Sequence, residues 1–104
     1  MERLTGADFD GTKLSRDGTL AVTFSAKWCP YCRDFMTEFK TAELSVEKAM
    51  GDVTDEESAL WDDFKLNVVP TMVLFRDGEA VWRRDGTRHV GLNGADIDAL
   101  RAAL

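Results

Sequence analysis

Apolar residues in the first half of the chain form a strand-like run followed by a helix-like pattern. Residues 19–25 (TLAVTFS) are apolar and β-branched and follow an Asp-Gly turn signal, a combination typical of a buried strand. Pro30 then opens a segment in which Phe35, Met36 and Phe39 recur at helical spacing, and proline is well tolerated in the first turn of a helix. The pattern predicts a strand that leads directly into a helix.

The middle of the chain predicts a weaker strand and a second helix. Residues 46–53 signal a strand only weakly. Thr54 and Glu57 have the spacing of a capping box, which marks the start of a helix. The apolar face of this helix consists of Leu60, Trp61 and Phe64. We therefore expect a helix over about residues 55–65.

The last third predicts a hairpin and a closing helix. Residues 71–75 and 80–84 flank an Asp77-Gly78 pair, which favours a tight turn between antiparallel strands. Asn93 is a suitable N-cap for a final helix. The apolar side of that helix comprises Ile97, Leu100 and Leu104.

The chain has the organisation of one continuous domain over residues 1–104. It contains no repeat, low-complexity tract or linker, and 104 residues provide for one hydrophobic core. The polar stretch 1–18 stays unassigned, apart from a short element around residues 9–14.

The composition and net charge limit the kinds of partner that the protein can bind. Hydrophobic residues make up 44% and charged residues 31% of the chain, a globular balance. The net charge of −6 opposes binding to nucleic acid and to anionic lipid. No apolar run reaches the roughly 18 residues that span a bilayer, and Met1–Gly6 lacks a secretion signal. We expect a monomer that is cytoplasmic by default, or periplasmic or secreted if an export signal was removed.

The segment Trp28-Cys29-Pro30-Tyr31-Cys32 carries the candidate chemistry. Two cysteines in the first turn of a helix can reach each other, and the first faces unpaired backbone N–H groups that stabilise a thiolate. Cys29 would attack a substrate disulfide and Cys32 would resolve the mixed disulfide. A bridge around two residues closes too small a loop to stabilise the fold much. The pair is therefore predicted to be redox-active rather than structural.

Two other roles for the cysteines stay open. Two thiols at this spacing are common zinc ligands, but the only other strong candidate ligand is His89, so metal binding would require carboxylates or a second chain. The cysteines could also be inert and buried. The start of a helix at Pro30 argues against this second alternative.

Three segments together resemble the thioredoxin-fold family: AVTFSAKWCPYC, VVPTMVLFRDGE, and Gly91 before the last helix. The match covers about residues 19–104. The resemblance implies an α/β fold with a central mixed sheet flanked by helices. It implies that Pro70 has a cis peptide bond beside the cysteines and that Val69 pairs its backbone with substrate. Gly91 would flank the substrate groove, and Trp28, Pro30 and Tyr31 would contact an extended peptide.

The chain departs from the thioredoxin pattern at three places. Thr23 stands where thioredoxins usually place a buried Asp that assists proton transfer at the second cysteine. Pro-Tyr between the cysteines is the glutaredoxin-type dipeptide, and Thr37 replaces a proline that kinks the helix. Glutaredoxin is less favoured, because the segment after Pro70 lacks that family's Gly-Gly and Asp pattern for glutathione.

The function predicted is reduction of protein disulfides, with recharging by an upstream reductase or dithiol donor and no cofactor beyond a redox-active Cys29–Cys32 disulfide. A disulfide oxidase or isomerase, or an enzyme acting on glutathione mixed disulfides, is the alternative within the same chemistry. A peptide-binding module without turnover is the alternative from another class, although it needs no second thiol.

The remaining polar and aromatic residues are given ordinary roles. His89 is interpreted as solvated and Lys27 as either a charge beside Cys29 or a surface residue. Trp61 and Trp82 are expected to be core or half-buried. The acidic run of Asp52, Asp55, Glu56 and Glu57 is interpreted as a solvated helix start.

Overall fold

The computed structural model describes residues 1–104 and contains seven strands and three α-helices. The strands are β1 (Glu2–Leu4), β2 (Phe9–Asp10), β3 (Lys13–Leu14), β4 (Thr19–Ser25), β5 (Glu47–Asp52), β6 (Thr71–Arg76) and β7 (Glu79–Asp85). The helices are α1 (Pro30–Thr41), α2 (Ala59–Asp63) and α3 (Gly94–Ala103), and a 3₁₀ turn spans Gly6–Asp8.

Strand β4 is the centre of a mixed five-stranded sheet with the order β1-β5-β4-β6-β7. It pairs parallel with β5 and antiparallel with β6, and β1 pairs parallel with β5. The Asp77-Gly78 turn joins β6 and β7 as an antiparallel pair. The central mixed sheet, the strand over residues 19–25 and the hairpin predicted from the sequence are confirmed.

Side chains of β4 alternate between two apolar cores, one on each face of the sheet. Leu20, Val22 and Phe24 pack with Leu60 and Phe64 around α2. Ala21 lies on the opposite face, among side chains of α1, α3 and β6. The α1 and α3 residues of this second core are Phe35, Met36, Phe39, Ile97 and Leu100. The two-residue period of a strand thus places α1, with its cysteines, on the face opposite α2.

The second helix is shorter than the sequence predicts. Its N-cap is Ser58, whose hydroxyl accepts from Leu60 N–H, and it covers only Ala59–Asp63. The capping box assigned to Thr54 and Glu57 is wrong, because Thr54 Oγ1 accepts from the N–H of Lys27 instead. The acidic run is therefore not a helix start: Asp52 ends β5, and the residues after it form a loop.

The final helix begins as predicted and ends one residue early. Asn93 accepts from Ala95 N–H and forms a capping box with Asp96. Leu104 lies past the last helical residue and is 38% exposed, so its assignment to the apolar face is wrong. Trp82 is half-buried against the second core, as expected.

The N-terminal stretch, unassigned from the sequence, completes the sheet. Strand β1 adds an edge next to β5, with only Leu4 buried. Strands β2 and β3 form a small hairpin over residues 9–14, in agreement with the short element expected there.

Candidate active site

Cys29 is the N-cap of α1, and its sulfur occupies the place of a capping acceptor. Cys29 Sγ accepts from the N–H of Cys32 at 3.2 Å, and Pro30 fills the first helical position, where no N–H is needed. Unpaired N–H groups and the positive end of the helix dipole favour negative charge at this position. The residue Cys29 is 5% exposed, and neither cysteine is in a disulfide.

Cys32 lies beneath Cys29 and is completely buried. Burial and the hydrogen bond with Cys29 raise the pKa of the Cys32 thiol to about 12, against opposing hydrogen bonds from the Ala26 backbone and the Ser25 side chain. The two thiols are therefore unequal: one lines a surface groove, and the other is held protonated below it.

Pro70 is buried beside the pair, and its peptide bond with Val69 is cis, which confirms the expectation for this bond. Cys29 Sγ lies 3.5 Å from Val69 O in hydrogen-bonding geometry. Gly86 N–H donates to Pro70 O at 3.0 Å. A Cβ on Gly86 would stand 2.4 Å from that oxygen, so only glycine permits the chain just after β7 to approach Pro70 this closely.

Gly91 is buried where the loop before α3 meets α1 and Pro70. Its φ is +83°, and a Cβ there would lie 3.0 Å from Tyr31 Cβ and 3.6 Å from Pro70 Cδ. A side chain at this position would be strained and would press on Tyr31. The structure thus brings Gly91, Pro70 and Tyr31 together, as the sequence resemblance implies.

A groove of about 330 Å³ opens over Cys29. Five predicted site residues line it: Trp28, Cys29, Pro30, Tyr31 and Val69. Pro70 and Gly91, which are also predicted site residues, do not line the groove, although Gly91 lies beside Pro70 and the groove residue Tyr31. The other lining residues were not predicted from the sequence to belong to a site: Trp61, Asn67, Val68, Thr87, Arg88 and His89. His89 is exposed, as interpreted, but it borders the groove.

Trp28 is held by the loop that follows β5. Its indole stacks on Trp61, with ring centroids 6.1 Å apart, and Trp28 Nε1 donates to Thr54 O at 2.9 Å. Thr54 Oγ1 accepts from Lys27 N–H at 3.0 Å. Trp28 is 51% exposed even so. The loop therefore fixes a flat apolar surface at the mouth of the groove rather than a core residue.

Asp52 anchors the same loop from the end of β5. Its burial raises its pKa, but hydrogen bonds from the Thr54 hydroxyl and N–H and the charge of Arg3 outweigh this and leave the pKa lowered. Arg3 Nε lies 2.8 Å from Asp52 Oδ2. Strand β1, through Arg3, thus stabilises the loop that positions Trp28.

Comparison with known protein families identifies the architecture. The sequence profile of thioredoxin matches residues 1–95. The chain belongs to the thioredoxin family. The match includes the N-terminal residues, which lie outside the predicted resemblance over residues 19–104, and it ends at residue 95.

Relatives of this thioredoxin-family chain fall into two groups. Thioredoxin of Mycobacterium tuberculosis is 30% identical over 93 residues, which cover 83% of this chain and 77% of the relative. Protein disulfide-isomerase A3 of Gallus gallus is 30% identical over 88 residues, but the chain spans only 17% of that protein. Fasciola hepatica thioredoxin superposes with a TM-score of 0.70 at 27% identity, covering 99% of this chain and 98% of that structure.

Thr23 marks the departure from the thioredoxin pattern. The side chain is completely buried on β4, and Thr23 Oγ1 has no hydrogen-bond partner. A hydroxyl has no charge to exchange at neutral pH, so it does not replace a carboxylate as a proton acceptor. The groups that lower the pKa of the Cys32 thiol are instead the Ala26 backbone and the Ser25 side chain, and neither outweighs burial.

Two further observations bear on metal and membrane binding. No three His, Cys, Asp or Glu side chains come together in a group that could hold a metal ion. A zinc site would have only the two thiols of this chain. None of the three helices has both the length and the apolar character to cross a bilayer.

Proposed function

We propose that this protein is a thiol–disulfide oxidoreductase that reduces protein disulfides by dithiol exchange between Cys29 and Cys32. One observation supports this most directly: Cys29 Sγ caps α1 in an open groove, while Cys32 lies buried three residues further along the helix. A nucleophile needs access and a stabilised negative charge, whereas a resolving thiol needs shelter from competing substrates.

The reaction proceeds in two exchanges. Cys29, as thiolate, attacks one sulfur of the substrate disulfide, so that a mixed disulfide forms and the other substrate sulfur leaves as a thiolate that takes a proton. Cys32 then gives up its proton and attacks Cys29 Sγ. The Cys29–Cys32 disulfide forms and the second substrate thiol is released. The substrate gains two electrons and two protons, and an upstream reductase or dithiol donor returns them to the protein.

The raised pKa of Cys32 separates the two steps in time. At neutral pH this thiol is protonated, and a thiol is a poor nucleophile. It therefore does not attack substrates itself. Deprotonation has to accompany the resolving step, and because position 23 carries no carboxylate, water is the proton acceptor that we propose.

The opposite redox direction is the second candidate. The Pro-Tyr dipeptide and the similarity to part of a protein disulfide-isomerase favour an oxidising or isomerising role. Reduction in a cytoplasmic compartment is preferred here because the family profile and the relative of similar length are thioredoxins. Redox potential decides between the two, since potentials in this fold class span roughly −270 to −120 mV.

The test is equilibration of the Cys29–Cys32 couple with glutathione buffers, together with trapping by Cys32→Ser. A potential near −270 mV supports a reductase, and one above about −200 mV supports an oxidase or isomerase. Cys32→Ser should accumulate a mixed disulfide at Cys29, whereas Cys29→Ser, the matched control, should accumulate none. A chain with no reversible couple and no trapped adduct would exclude both directions and leave the peptide-binding alternative.

A further inference from the structure

Some basic side chains of this protein form ion pairs with carboxylates, and others do not. Six of the thirteen Lys and Arg residues form ion pairs with carboxylates. Arg88 forms no ion pair or side-chain hydrogen bond, is exposed, and lines the groove over Cys29. It is therefore a free cation beside the proposed nucleophile.

The groove contains no acidic residue to balance Arg88. Its lining is aromatic, aliphatic or amide apart from Cys29, Thr87, Arg88 and His89. The acidic residues Asp55–Glu57 are exposed in the loop before α2 and do not line the groove. The local charge over Cys29 is thus positive in a chain whose net charge is −6.

We propose that this groove selects disulfides that carry a carboxylate close to the reacting cysteine, and that Arg88 is the residue that recognises it. The proposal rests on the oxidoreductase function proposed above and specifies its substrate class. A guanidinium offers several N–H donors that match a carboxylate. The negative net charge alone would favour basic partners through long-range attraction. At the groove the structure predicts the opposite preference, for substrates with an acidic group.

The position of Arg88 limits how far from the reacting cysteine the carboxylate of a substrate can lie. The residue borders the same groove as Cys29 and Val69, and the full groove occupies about 330 Å³. A carboxylate would have to lie within a few residues of the substrate cysteine to reach it. Two sources supply such a group: an Asp or Glu flanking the cysteine of a protein, and the carboxylates of glutathione in a mixed disulfide.

The test compares kcat/KM for disulfide substrates that are built on one peptide and differ in whether, and where, a carboxylate lies near the disulfide. Four substrates are needed: a Ser-flanked peptide, peptides with Asp two residues before or two residues after the cysteine, and the glutathione adduct of the Ser-flanked peptide. Because an exposed ion pair is a weak interaction, we expect a preference of about two- to five-fold for at least one carboxylate substrate over the neutral peptide. Raising the salt concentration should reduce that ratio.

Variants of Arg88 separate recognition from general electrostatics. Arg88→Ala should abolish the carboxylate preference, and Arg88→Glu should reverse it. Arg76→Glu is the matched control, because Arg76 is exposed, unpaired and at the far end of β6, five residues from Thr71. It changes net charge equally, about 17 Å away along the strand, and should preserve the preference.

The outcomes distinguish the two proposals. A gain with an Asp peptide that Arg88→Ala removes supports the inference for protein substrates, and a gain confined to the glutathione adduct assigns the carboxylate to glutathione. Equal reduction of all four substrates by the wild-type protein would overturn the inference while leaving the oxidoreductase function intact. Failure to reduce any of them, including the neutral peptide, would instead refute the proposed function.

Discussion

Replacing Thr23 by valine should make the protein more stable. Thr23 Oγ1 is completely buried without a hydrogen-bond partner. Folding therefore removes the hydrogen bonds of this hydroxyl to water, and no hydrogen bond within the protein replaces them. Burial of such a group costs about 1–3 kcal/mol in proteins. Valine has nearly the same shape and no polar atom, and both residues favour strands. The substitution therefore removes the penalty without opening a cavity.

We expect Thr23→Val to raise the free energy of unfolding by about 1 kcal/mol, the lower end of that range, because the unfolded chain is only partly solvated. For a domain of this size, 1 kcal/mol corresponds to a rise in Tm of about 4–8 °C. Chemical denaturation with both thiols reduced gives the change in the free energy of unfolding from the shift of the midpoint. An m value equal to that of the wild type shows that the substitution has not changed the unfolded state.

Thr71 provides a matched control. It is equally buried and also lies in the central sheet, but its hydroxyl donates to Val68 O at 2.9 Å. Thr71→Val should therefore lower stability by about 1 kcal/mol. The two identical changes are expected to have opposite signs. Destabilisation by Thr23→Val to the same extent as Thr71→Val would show that Thr23 Oγ1 has a partner after all and would refute the argument.

Three other perturbations follow from the geometry. Gly86→Ala places a Cβ 2.4 Å from Pro70 O and should lower the free energy of unfolding by more than about 2 kcal/mol, as measured by denaturation, with reduced disulfide exchange. Asp52→Asn should lower the free energy of unfolding at neutral pH. Because the pKa of Asp52 is depressed in the folded state, the carboxylate stabilises the fold above about pH 4, and this stabilisation disappears as pH falls through the folded pKa. The free energies of unfolding of the variant and the wild type should therefore become equal in acid. Iodoacetamide should alkylate Cys29 selectively at pH 8, since the pKa of Cys32 is raised to about 12, and equal labelling of both thiols would contradict this.

Local patterns predicted the elements whose stabilising contacts are close in sequence. The buried run of β4, the Asp-Gly turn between β6 and β7 and the N-cap at Asn93 are all defined within a few residues. Strand β1 was missed because it has three residues, one of them buried, and its partner β5 lies more than forty residues away. Pairing of that kind leaves almost no periodic signal.

The groove was only half predicted for the same reason. Residues adjacent to the cysteines were assigned from the sequence, but Thr54 and Gly86 act through backbone contacts with Trp28 and Pro70 that only the fold creates. The wrongly predicted capping box shows how a contact distant in sequence can replace a local one. Thr54 has the right spacing to cap a helix, yet its hydroxyl accepts from Lys27, and Ser58 caps α2 instead.

The different environments of the two thiols follow from the periodicity of α1. Cys32, Phe35, Met36 and Phe39 stand at positions i, i+3, i+4 and i+7 and are all buried. The apolar stripe that packs the helix against the sheet therefore includes the second cysteine, and its raised pKa is a consequence of that packing. Cys29 is the N-cap that precedes the first helical residue, and its sulfur accepts a hydrogen bond from the Cys32 N–H instead. One helix start thus places Cys29 at the groove and Cys32 in the core, and shifting Cys32 by one position would move it out of the buried stripe.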